Sequence, residues 1–76
     1  MKRKELEAKL QRLNVTLSCI GRNPFYLDYA RYYGGYCLTD EHGSYHYTKR
    51  MPAQQLFDYM DGITLGIHFA TNGKAT

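Results

Sequence analysis

Leu6, Leu10 and Leu13 recur at helical spacing through residues 2–13 with charged and polar side chains between them, which predicts an amphipathic helix. At Asn14 the pattern changes. Asn14, Val15 and Thr16 are poor helix formers, and Val15, Leu17 and Cys19 alternate with polar Thr16 and Ser18. The expectation is a first helix ending near Leu13 and a strand starting at Val15. A single longer helix competes with it: Leu6, Leu10, Leu13, Leu17 and Ile20 keep a 4-3-4-3 spacing, and Gly21 is a good helix stop.

Gly21-Arg22-Asn23-Pro24 reads as a turn, and seven of the eight tyrosines follow between Tyr26 and Tyr47, interrupted by Gly34-Gly35 and Gly43. Aromatic alternation with glycine turns predicts antiparallel strands over 25–33, 36–40 and 44–48. Side-chain parity ties them together. Tyr36 and Leu38 pair with Tyr45 and Tyr47 only across an even loop, and a two-residue Gly34-Gly35 turn places Phe25, Leu27 and Tyr29 on the same side. One residue resists: that turn sets Arg31 opposite Leu38 on the apolar face. The other face would carry Tyr26, Asp28, Ala30, Cys37, Thr39, Ser44, His46 and Thr48, open to water or to a partner. Beyond Pro52, the residues Ala53, Leu56, Met60, Ile63 and Ile67, widened by Phe57, form a helical stripe to about Phe69. The fold expected is α+β: an N-terminal helix, a three- to four-stranded antiparallel meander and a C-terminal helix, both helices on one face of the sheet.

A chain of 76 residues makes one domain, drawn over 1–70 with an unpatterned, disordered tail at 71–76. Such a domain buries only about 60–65% of its unfolded surface and gains from a second copy, a disulfide or a metal. Apolar residues at 43% and charged residues at 22% describe a globular chain, and ten Lys/Arg against seven Asp/Glu permit nucleic-acid binding without demanding it. With no signal peptide and no long apolar run, Cys19 and Cys37 read as reduced thiols in a cytoplasmic protein.

Candidate chemistry is sparse. Parity assigns Tyr29, Tyr36, Tyr45 and Tyr47 to the edge of the core and leaves Tyr26, Tyr32 and Tyr33 as contact residues, with Arg22, Arg31, Lys49 and Arg50 as basic neighbours able to hold phosphates. The helix–strands–helix order resembles that of double-stranded RNA-binding domains in topology. Where those domains carry a lysine cluster, this chain reads Pro52-Ala53-Gln54-Gln55 followed by Asp58 and Asp61, so no RNA-binding residue is carried over.

Gly62 and Gly66 share nearly one helix face with Tyr59, and each glycine costs about 1 kcal/mol relative to alanine. Close packing within the chain is one explanation, and a homodimer contact is the other. Cys37, Asp40, His42 and His46 are metal-ligand types in no zinc spacing, so neither a metal nor a cofactor is expected. Cys37 with His46, completed by Asp28, is the nearest approach to a nucleophile, base and orienter, and the chain is expected not to be an enzyme. The reading is a small non-catalytic binding or adaptor protein acting through protein contacts, self-association included. Weak nucleic-acid binding through the tyrosines is the alternative. Basic side chains gathered around the tyrosines favour nucleic acid; mixed charge there favours protein.

Overall fold

The computed structural model describes residues 2–74, with side chains through 71. Helix α1 (Arg3–Cys19) is followed by strand β1 (Tyr26–Ala30), a 3-10 turn (Arg31–Tyr33), strand β2 (Gly35–Thr39) and helix α2 (Ala53–Lys74). The architecture is α+β, with two helices and a two-stranded antiparallel sheet.

The strand expected at Val15 is instead the end of α1. Leu6, Leu10, Leu13 and Leu17 are all buried, whereas Val15 is 61% exposed and Cys19 lies in solvent. Burying Leu17 contributes roughly 1.5–3 kcal/mol, which matches the summed helix-propensity cost of at most about 2 kcal/mol at Asn14, Val15 and Thr16, and two hydrogen bonds from the Asn14 side chain to Phe25 add to it. The leucine spacing therefore overrides local preference. The helix stops at Gly21 (φ +74°), where Arg22 N–H reaches Leu17 O at 2.9 Å and Gly21 N–H reaches Ser18 O at 3.1 Å. This Schellman arrangement satisfies the last carbonyls.

Asn14 also has a tertiary task. Its Nδ2 donates to Phe25 O at 3.0 Å and its Oδ1 accepts from Phe25 N–H at 2.9 Å, so one side chain clips the start of the hairpin to α1.

In the sheet, Leu27 stands opposite Leu38, Asp28 opposite Cys37 and Tyr29 opposite Tyr36. Parity is as expected, but the two-residue turn is replaced by Arg31–Tyr33 with Gly34, and Gly35 enters β2 opposite Ala30. The two-residue turn would have forced the Arg31 charge against fully buried Leu38. The observed register puts Leu27 there and moves Arg31 into the exposed tip. Gly35 (φ +105°) is fixed by its neighbour, since a Cβ there would stand 2.8 Å from Met51 O.

The stretch expected as a third strand, 44–48, pairs with β2 only at the isolated Thr39–His46 bridge, and a second isolated bridge, Tyr36 with Met51, lies beyond it. Between them six residues (46–51) lie opposite four (36–39), so a regular ladder is impossible. Thr48 Oγ1 accepts from Leu38 N–H at 3.2 Å in place of a backbone carbonyl. The sheet's second face is only partly open: Cys37 and Thr39 on it are buried, whereas Tyr26, Ser44 and His46 are exposed. The four tyrosines assigned to the core edge divide. Tyr36 packs partly buried against the core, while Tyr29, Tyr45 and Tyr47 are exposed at its rim.

Helix α2 contributes Leu56 and Met60 to the core, with Ala53, Phe57, Ile63 and Ile67 packed against it. Lys9 forms an ion pair with Asp61 and lies over the Phe57 ring, and Leu17 shares a cleft with Ile67, so α1 and α2 run side by side in the same direction. The expected tail from 71 is helical through Lys74 and otherwise lies outside the described residues.

Replacing Asn14 with alanine improves helix propensity yet leaves Phe25 N–H and C=O without protein partners. The expected outcome is a net loss of about 1–2 kcal/mol in denaturant unfolding, the lost hydrogen bonds outweighing the propensity gain. An unchanged or raised midpoint would show that the clip contributes nothing.

Candidate functional site

Cross-strand pairing and the Thr39–His46 bridge bring three chemically active side chains together. Asp28 and Cys37 are direct partners on the face opposite Leu27 and Leu38, and His46 joins them from the irregular segment two positions along. One ligand-type atom from each lies within 4.8 Å of the other two. Arg50 closes the group from the same segment: its Nη2 donates to Asp28 Oδ2 and its Nη1 to Gly35 O at 3.2 Å. The Asp28 carboxylate in turn raises the pKa of the guanidinium.

These three are the residues considered as a nucleophile, base and orienter, but the thiol is not activated. Cys37 is 0% exposed, and burial pushes its pKa up, with Arg50 pulling partly the other way. A protonated, enclosed thiol is a poor nucleophile. Of the four metal-ligand types noted between Cys37 and His46, this group contains Cys37 and His46. Asp40 and His42 lie apart from it, and Asp28, which strand parity had placed on the same face, takes their place.

Asp40 has a local task instead. Its Oδ1 accepts the Ser44 N–H at 2.9 Å and the Tyr45 N–H at 3.3 Å, closing the turn that contains Gly43. The Tyr45 bond above all, with that from Ser44, lowers its carboxyl pKa.

The contact tyrosines do not form one surface. Tyr32 and Tyr33 project at the hairpin tip, 87% and 79% exposed, with the Arg31 guanidinium 5.8 Å from the Tyr32 ring. Tyr26 sits at the other end of β1, beside a cleft of about 390 Å³ whose walls include Asp40, Glu41 and His42. Arg22 lines a separate cleft with Ile20 and Ile67, Lys49 is exposed, and Arg50 is engaged with Asp28. Basic and acidic groups are thus interspersed around the tyrosines.

On α2, a Cβ built at Gly62 or Gly66 would meet nothing within 4 Å among the described residues. Close packing inside the chain therefore does not account for either glycine. Tyr59, Leu65 and Phe69 are exposed on the same side, Phe69 at 83%. Neither Leu65 nor Phe69 stood out in the sequence, although their i, i+4 spacing on the flank of the glycines is visible there. Among the described residues no helix is long and apolar enough to cross a membrane.

Two outcomes are expected from this chemistry. Iodoacetamide at neutral pH should modify Cys19 in the folded protein and Cys37 only after denaturant is added, as read by peptide mass spectrometry; rapid labelling of Cys37 would mean that its sheet face is open. The lowered Asp40 pKa gives a stabilising contribution that is full above the ordinary carboxylate value of about 4 and is lost as pH falls through the folded-state value. Melting temperature in Asp40→Ala should lack that part of the acid limb.

No protein-family model matches the chain, and comparison with curated proteins and with solved structures returns no match.

Proposed function

We propose that this chain is a small non-catalytic binding protein that acts through protein contacts, and that α2 is the surface through which it self-associates. The observation that carries the reading is the pair Gly62 and Gly66, open to solvent and flanked by exposed Tyr59, Leu65 and Phe69. Each glycine costs the helix about 1 kcal/mol relative to alanine, and no intrachain neighbour repays it. A second helix approaching closely along that side would.

The arrangement is self-complementary. Two copies of α2 crossed antiparallel about Thr64 set Gly62 against Gly66 and Tyr59 against Phe69 of the second copy, as a twofold contact requires. The small core supports the same reading, because a domain of this size gains stability from a second copy. We further infer that both helices cover the sheet face bearing Leu27 and Leu38, since the core cluster joins α1, α2 and Leu38, with Leu27 and Tyr36 packed against it. Cys19 and Cys37 are free thiols, in keeping with a reducing compartment, and we assign the protein to the cytoplasm.

A second reading, nucleic-acid binding, is favoured by the hairpin tip alone, where Arg31, Tyr32 and Tyr33 are exposed together. Arg50 is held by Asp28, and Tyr26 and Arg22 lie away from the tip, so the interspersed charge supports a protein partner instead. Anisotropy with single- and double-stranded probes at low salt tests it; no binding there removes it.

Self-association is tested by sedimentation from low to high micromolar concentration. A concentration-dependent dimer is expected for the natural chain. In Gly62→Ala/Gly66→Ala the two effects should have opposite signs: the monomer gains about 1 kcal/mol per site, while the added methyl groups hold the helices apart and weaken the dimer. A strict monomer at high micromolar concentration, or a dimer indifferent to both substitutions, would overturn the assignment.

A further inference from the structure

Cys37 and Asp28 come from adjacent strands and His46 from the irregular segment bridged to β2, and the positions of the first two are fixed by the β1–β2 ladder. We propose that these three side chains form a binding site for a divalent transition-metal ion of the zinc class.

The donor set decides the class of ion. A thiolate, an imidazole and a carboxylate together suit zinc or cobalt(II) and not the oxygen-seeking magnesium or calcium. Bond lengths of about 2.0–2.3 Å around a tetrahedral ion separate its donors by roughly 3.3–3.8 Å. The three donor atoms here already lie within 4.8 Å of one another. Closing the remaining gap of roughly 1 Å needs rotation of exposed His46 and half-buried Asp28, with Cys37 as the fixed point.

Arg50 holds Asp28 through Oδ2, which leaves Oδ1 available to the ion and restrains the carboxylate as an outer partner does in established metal sites. Its charge opposes the incoming cation, so the site is weaker than one built of cysteines alone. On binding, the Cys37 S–H bond breaks, its proton passes to solvent and the sulfur electron pair forms the bond to the metal. Three protein ligands leave a fourth tetrahedral position for water. This site is on the sheet and is independent of the α2 contact.

The test is cobalt(II) titration of the Cys19→Ser protein, in which Cys37 is the sole thiol. One equivalent should bind with a thiolate-to-cobalt charge-transfer absorption that added zinc bleaches. Cys37→Ser in the same background should abolish the band. Because Cys37 is buried and its replacement removes a core side chain, His46→Gln supplies the second arm. That side chain is exposed and outside the core, so the fold survives, and the cobalt affinity should fall about tenfold or more. Absence of the band in the folded Cys19→Ser protein, or full affinity in folded His46→Gln, would overturn the proposal.

Discussion

The leucine stripe of α1 is the constraint on which the rest of the molecule depends. A two-stranded hairpin is marginal by itself in water, and each helix leaves an apolar side that must be covered. Leu6, Leu10, Leu13 and Leu17 meet Leu38 of the hairpin and Leu56 and Met60 of α2 in one cluster, so none of the elements has a core of its own. The same cluster decides the length of α1. Ending the helix at Leu13 would remove Leu17 from the cluster and would separate Asn14 from the Phe25 backbone groups that it holds. Asn14, Val15 and Thr16, three poor helix formers, are carried through because what lies beside them is packed.

The hairpin register answers to the same core. Leu38 is fully buried, so the residue facing it must be apolar. A charge cannot take that place without losing its hydration. The 3-10 tip shortens the ladder until Leu27, and not Arg31, is the partner of Leu38. Asp28 then falls opposite Cys37 on the other face as a consequence of alternation. The Asp28–Cys37–His46 group thus arises from a packing requirement on the opposite side of the sheet, transmitted through backbone geometry.

What the sequence made legible follows the strength of each physical signal. The second helix was readable because Leu56, Met60, Ile63 and Ile67 keep one period without interruption, and the face parity of the strands was readable because alternation admits only two choices. The register itself was not. Shifting it by an even number preserves the faces, so only the misplaced Arg31 signalled that Gly34-Gly35 was the wrong turn. The third strand failed for a different reason. Its residues alternate correctly, but the distance between the His46 and Met51 bridges contains two residues too many for a ladder, and that count depends on where Pro52 starts α2. The helix through Val15 was legible as a competing reading in the spacing of five apolar residues, and local propensity was wrongly weighed above it.

Of the two candidate surfaces, the α2 face carries the stronger case for interaction, and the reason is energetic. Exposed tyrosines such as Tyr32 and Tyr33 at a hairpin tip impose little folding penalty, so their presence is weak grounds for a partner. Gly62 and Gly66 differ because each lowers the stability of a helix in a domain that has little stability to lose. Among the described residues, an alanine Cβ at either position would meet no neighbouring element within 4 Å. A costly choice with no benefit inside the chain is best explained by a benefit outside it, and Tyr59, Leu65 and Phe69 beside the glycines supply the apolar surface that such an approach would bury.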